Sequence, residues 1–262
     1  MEISLEGKKV LVGGSSAGIG KGIAIVLASC GADVILMARN EDKLREVASA
    51  LDTAKGQRHS YIVTDFNDYQ AHKEKMDNFF ANEQVDILVN NTNGPVAGNV
   101  LSKGEQDYQQ AFDLLFQNSV YTTNLAIPYM REQRFGRVIN VSSMTVKEPS
   151  NELVLSNTMR TALVSWSKSL ASEMAKYNVT VNTVLTGYFD TDRLNALMKM
   201  QADKQNIPFT EAKEKRISSI PMGRLGEPEE YGNLVAFLAS DYSSFLTGTS
   251  IPLDGGAGIG LL

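Results

Sequence analysis

Val10-Leu-Val-Gly-Gly-Ser-Ser-Ala-Gly-Ile-Gly20 decides the fold of this chain. Its first three residues are a short apolar run, the mark of a strand covered on both faces. The strand passes straight into glycines and small hydroxyl residues, and Gly18–Ser29 then has the composition of an apolar helix packed on a sheet. Glycines permit a tight turn and let backbone N–H groups approach an anion at the helix N-terminus, where the helix dipole favours negative charge. A second apolar run, Val34–Ala38, follows about 20 residues on, which is the spacing of a turn that cradles a dinucleotide pyrophosphate.

The same alternation continues outward. A charged helix from Glu41 to about Leu51 precedes a strand at Tyr61–Thr64, and a polar amphipathic helix, Tyr69–Ala81, precedes the strand Asp86–Asn90. A long helix from about Gln106 to Gln133 leads to Arg137–Val141, and another, about Leu153 to Tyr177, leads to Thr180–Leu185. A charged helical stretch, Thr191–Ser219, is followed by a helix at Pro228–Ala239 and a last strand, Gly248–Leu253. This pattern predicts a doubly wound α/β fold: a mainly parallel, seven-stranded Rossmann-like sheet with helices on both faces. No repeat or linker interrupts it, so residues 1–262 read as a single domain with a helical lid at about 188–219. The lid mixes Met198, Met200 and Ile207 with Lys199, Lys204, Lys213 and Arg216, which suits a modest apolar substrate or an anionic one.

With 43% hydrophobic residues and 21% charged ones, the chain can bury a sizeable core. A formal charge of −5 and the lack of a basic stripe argue against a general nucleic-acid binder. The N-terminus lacks a signal-peptide pattern and the apolar stretches are too short to span a bilayer, so no membrane partner and a cytoplasmic location are expected. Cys30 has no second cysteine to pair with. His59 and His72 have no ligand partner at metal spacing, so no metal is expected and both read as surface histidines.

At the end of the second apolar run stands Ala38-Arg39-Asn40, where an acidic residue would hydrogen-bond the 2′-hydroxyl of NAD. A guanidinium there suits a 2′-phosphate, so the expected cofactor is NADP(H) in preference to NAD(H).

Taken together these residues resemble the short-chain dehydrogenase/reductase family. Gly14, Gly18 and Gly20 match its glycine turn, with Gly13 where Thr is usual, and Asp65 matches the acidic residue that meets the adenine. Asn90-Asn91 matches the start of its NNAG element, with Thr92-Asn93 departing from it, and Val141-Ser142-Ser143 the strand end carrying the catalytic serine. Asn182 to Thr191 resembles the segment beside the nicotinamide, with Thr186 in place of Pro, and Asp254-Gly-Gly256 the C-terminal element. The resemblance implies cofactor contacts from Gly14, Ser15, Ser16, Gly18, Ile19, Gly20, Arg39, Asn40, Asp65, Phe66, Asn91, Arg160, Gly187 and Thr191.

The family works with a Tyr-xxx-Lys pair one helical turn apart. Counting thirteen residues from Ser143, the tyrosine position holds Ser156, and four further on the lysine position holds Arg160. A serine hydroxyl is a far poorer acid than a phenol, and arginine does not give up its proton. The family's helix asparagine falls on Leu115, and Asn118 reaches that place only with a local shift. Halohydrin dehalogenases also put arginine at the lysine position, but they keep the tyrosine and lose the glycine turn, the reverse of this chain. The expected catalytic set is Ser143, Ser156 and Arg160, with Tyr188 a candidate to replace the phenol. Two functions are consistent with this: an NADP(H)-dependent oxidoreductase on a small carbonyl or alcohol substrate with an altered proton relay, or a catalytically impaired dinucleotide-binding sensor or partner. The resemblance also implies a homo-oligomer, a tetramer or dimer, through Gln106–Gln133 and Leu153–Tyr177, both of which read as unusually apolar.

Overall fold

The computed structural model describes residues 2–260. The strands are β1 (Lys9–Gly13), β2 (Asp33–Ala38), β3 (Ser60–Val63), β4 (Ile87–Asn90), β5 (Gly136–Val141), β6 (Val179–Thr186) and β7 (Ser250–Leu253). They form one seven-stranded sheet in the order β3-β2-β1-β4-β5-β6-β7, with every pairing parallel. The helices are α1 (Gly18–Ser29), α2 (Glu41–Ala50), α3 (Tyr69–Phe80), α4 (Glu105–Phe112), α5 (Asn118–Gln133), α6 (Val154–Met174), α7 (Asp192–Gln205), α8 (Phe209–Ser218) and α9 (Pro228–Ala239).

Alternation along β1 sorts the two cores. Val10 and Val12 join Ile23 and Leu27 of α1, Leu44 of α2 and Val235 of α9. Leu11 joins Met76 of α3, Met130 of α5 and Met159 of α6 on the other face. Successive side chains of a strand point to opposite faces, so a strand buried on both must be apolar throughout. The order in which strands are added reverses between β1 and β4, and that junction is where an open α/β sheet leaves a crevice.

The long helix expected over 106–133 is interrupted. Asp113–Gln117 is π-helical, an inserted residue that shifts the register between α4 and α5. Part of the apolar surface expected on α6 is present, as the half-buried Val164, Trp166 and Leu170. Leu155, Met159, Leu163, Ala171 and Met174 turn inward, while Thr158, Thr161, Ala162, Ser165 and Ser169 face outward.

His72, expected at the surface, is wholly buried. It lies on the same stripe of α3 as Met76 and Phe80, which packs toward α5. Its Nε2 is 3.0 Å from Thr122 Oγ1 and its Nδ1 is 3.3 Å from Thr64 Oγ1, so the two threonines satisfy the ring. His59 is half-buried and structural, accepting from Val34 N at 3.2 Å through Nδ1.

Burial pushes the His72 pKa down to about 4. The unfolded ring titrates near 6.5, so the unfolded chain binds more protons between those values. The contribution is therefore complete above pH ~6.5 and lost as pH falls toward ~4, approaching ~3 kcal/mol. In urea unfolding, His72→Gln should lose stability less steeply than the parent across that window; equal slopes would contradict this.

Candidate active site

The glycine turn is shaped by contacts that admit no side chain. Gly14 and Gly18 have φ of +57° and +53°, in the left-handed region that favours glycine. A Cβ on Gly13 would lie 2.3 Å from the Asn91 carbonyl oxygen, and one on Gly20 would lie 2.2 Å from that of Gly14. Asn91 Nδ2 donates to the Gly13 carbonyl at 3.0 Å, fastening the end of β4 to the turn.

Beyond the carboxyl ends of the strands lies a cleft of about 470 Å³. Gly14, Ser16, Gly18, Ile19, Gly20, Arg39, Asp65, Phe66, Asn91, Ser143, Ser156, Arg160, Gly187 and Thr191 all line it. Two residues expected to contact a cofactor do not line it. Ser15 is fully buried; its hydroxyl donates to Val12 O and accepts from Met37 N, both at 2.9 Å. Its polar groups are spent stitching the turn to β2. Asn40 caps α2, its Oδ1 accepting from Lys43 N at 3.0 Å.

At the other end of the cleft α6 places Ser156 and Arg160 one turn apart, on the same side of the helix. Arg160 Nε donates to Ser156 Oγ at 3.2 Å, and Nη1 donates to the Val141 carbonyl at 2.7 Å, at the end of β5. Burial, with a smaller push from the like charge of Arg193, moves its pKa down to about 10. The guanidinium remains a fixed cation at neutral pH.

Ser143 Oγ accepts from Thr145 N at 3.1 Å and from Thr145 Oγ1 at 3.0 Å, which leaves its own proton free to donate. Ser156 Oγ likewise accepts from the guanidinium and keeps its proton. Ser142 lines the cleft only 3% exposed, and its Oγ has no partner among the described residues.

Among the described residues no phenol lines the cleft in place of the family's tyrosine. Tyr188 lies outside the cleft lining, its ring under the Arg216 guanidinium at 4.4 Å. The chain leaving β6 turns Phe189 into the cleft wall and leaves Tyr188 half-buried outside it. Asn118 does not face the cleft either. Its Nδ2 donates to the Phe66 carbonyl at 2.7 Å, tying α5 to the loop after β3, while Leu115 is core.

The sequence reading missed three contributors. Arg193 lines the cleft from the first turn of α7. Thr186 also lines it, with Oγ1 3.1 Å from the hydroxyl of Tyr231, a wholly buried residue of α9 whose pKa burial raises. The third is the unpartnered Ser142. Only Thr186 carried a signal, as a polar residue where the family has proline.

A family model described as enoyl-(acyl carrier protein) reductase matches residues 14–258. The chain belongs to this family of short-chain dehydrogenases/reductases. Among curated relatives, the 3-oxoacyl-[acyl-carrier-protein] reductase FabG of Aquifex aeolicus is 32% identical, over 98% of this chain and 99% of its own length. The NADPH-dependent reductase BacG of Bacillus subtilis is 31% identical, over 95% of this chain and 97% of its own. L-Sorbose reductase of Gluconobacter frateurii, solved with NADPH and L-sorbose, superposes with a TM-score of 0.92 at 27% identity, covering 100% of both chains.

Removing the Ser15 hydroxyl leaves the buried Met37 N–H without that acceptor. Ser15→Ala should therefore lower unfolding stability by about 1–3 kcal/mol, read from the urea midpoint; an unchanged midpoint would contradict the stitching role.

Proposed function

We propose that this chain is an NADP(H)-dependent oxidoreductase of a carbonyl or alcohol substrate, working with Ser156 and Arg160 at the positions where the family has Tyr and Lys. The observation that carries the reading is one continuous cleft. It runs along the strand ends from Arg39 after β2, past the glycine turn after β1, to Ser143, Ser156 and Arg160 beyond β5. The relatives named NADPH-dependent, and the neighbour solved with NADPH, support the cofactor.

The residues present fit such a group. The turn offers backbone where any Cβ would intrude, and the buried Ser142 hydroxyl lacks a partner that a ligand would supply. Gly14, Gly18, Ile19 and Gly20 would hold the pyrophosphate, Arg39 the 2′-phosphate, and Asp65 with Phe66 the adenine end. Thr191 and Gly187 would border the nicotinamide, and Arg160 would bind ribose oxygens. The dinucleotide supplies or accepts the hydride.

The chain's own contribution is polar and positional. Ser143 and Ser156 each have their acceptor side engaged, so both turn a donor toward the substrate oxygen. Arg160 stands behind Ser156 as a fixed charge that favours negative charge on that oxygen. The proton reaches the oxygen from a serine hydroxyl, which solvent then replenishes. Leu153, Leu194, Leu197 and Phe189 supply apolar wall, and α7, with α8 packed on its outer side, acts as the lid.

Two consequences are measurable. Arg39→Ala should weaken NADPH binding by roughly 10-fold or more, the loss of a charged hydrogen bond, and leave NADH unchanged in a fluorescence titration. Equal affinity of the parent for both dinucleotides would remove the argument. Among the described residues the cleft contains no phenol, imidazole, thiol or ammonium. The kcat of carbonyl reduction should therefore be flat between pH ~6 and ~9 and fall in Ser156→Ala with little change in KM. A sigmoidal profile that survives Ser156→Ala would point to a different acid.

A further inference from the structure

Arg193 stands at the second position of α7 and has no task in the reading above. Its Nη2 donates to the Pro95 carbonyl at 3.0 Å, a contact that runs from α7 across to the segment after β4. Gly94 lies directly beneath, where an added Cβ would be 3.3 Å from Nη2. Two residues earlier, the Thr191 methyl approaches Gly18, whose Cβ would be 3.2 Å from it. The start of α7 therefore touches both rims of the cleft at once.

The guanidinium has spare capacity. Among the described residues no carboxylate lies within 4.0 Å of Arg193 or Arg160. Apart from the bond to Pro95, the remaining N–H groups of Arg193 carry no hydrogen bond among those residues. Arg193 also acts on Arg160 as a like charge. Arg193 is exposed and its charge partly screened, so the repulsion is small, and an anion held within reach of both guanidiniums would be attracted by each.

We propose that Arg193 is a clasp on the dinucleotide, strapping α7 to Pro95 across the cleft and giving its remaining donors to the pyrophosphate. This rests on the dinucleotide reading above. The pyrophosphate is the anion that the glycine turn would hold at the N-terminus of α1. The Thr191–Gly18 contact sets α7 against that same turn, so Arg193 reaches the anion from the opposite side. The 2′-phosphate belongs to Arg39 at the distant end of the cleft. The dinucleotide then enters and leaves as the Arg193–Pro95 bond opens, and the clasp governs how long it stays.

The test uses binding and needs no turnover. NADPH affinity and dissociation rate are measured on the full chain by equilibrium and stopped-flow fluorescence, in the parent, Arg193→Met and Arg193→Lys. Adenosine 2′-monophosphate, which lacks the pyrophosphate, is measured by competition as the control ligand. Arg193→Met should raise the NADPH Kd about tenfold, mainly through faster dissociation, with Arg193→Lys between the two. Adenosine 2′-monophosphate should stay within about twofold, because its contacts lie at the Arg39 end. An unchanged NADPH Kd and dissociation rate in Arg193→Met would overturn the clasp and leave the cofactor reading intact. Equal weakening of both ligands would also overturn it, as a general disturbance of the cleft. A parent that binds no NADPH would defeat the cofactor reading itself, and the clasp with it.

Discussion

Backbone meeting backbone without a side chain between them is the constraint on which the rest of this molecule depends. At Gly13 and Gly20 the turn after β1 presses against the Asn91 backbone and against its own Gly14 carbonyl, at distances that no Cβ permits. That contact brings β1 and β4 together at the reversal of strand order and aims the N-terminus of α1 into the crevice. The cleft exists because those glycines leave room, and the remaining site residues are arranged around its walls. A substitution at these positions disturbs the junction of sheet, turn and helix together, as well as any ligand contact.

The far wall is built by different means. There α6 lays Ser156 and Arg160 along one face, and the guanidinium is anchored to β5 through the Val141 carbonyl. A lysine in this place would be a mobile point charge with three donors; the planar guanidinium divides its donors between a fixed anchor and Ser156. The cation is therefore held rigidly, and its hydrogen-bond partner is a hydroxyl that cannot be tuned toward neutral pH as a phenol can. Under the proposed function, such a site would keep oxyanion stabilisation by preorganised donors and lose strong general-acid catalysis.

Much of this was legible in the chain. Continuous apolar runs such as Val34–Ala38 fixed the buried parallel strands, and all seven strands formed within a few residues of where periodicity put them. The parts that stayed hidden share a physical cause: they depend on three-dimensional neighbours. His72 reads as polar in a polar helix, and only the paired hydroxyls of Thr64 and Thr122 make its burial tolerable. The π-helical insertion at Asp113–Gln117 leaves no mark in hydrophobic spacing, yet it rotates Asn118 onto Phe66. Ser15 looked like one more small residue of a phosphate loop, but its hydroxyl was claimed by β2. Tyr188 could be placed beside Gly187 by position, though not on the correct side of the strap. Arg193 sits exposed in a charged stretch, and nothing in that stretch marks it as the cation that bonds Pro95.

A crystal structure of the chain with NADPH bound should place the pyrophosphate on the Gly13–Gly20 turn, the nicotinamide ribose within hydrogen-bonding distance of Arg160, and the reactive ring face open to Ser143 and Ser156. A nicotinamide half lying outside that pocket, with Arg160 out of reach of every cofactor oxygen, would contradict that placement.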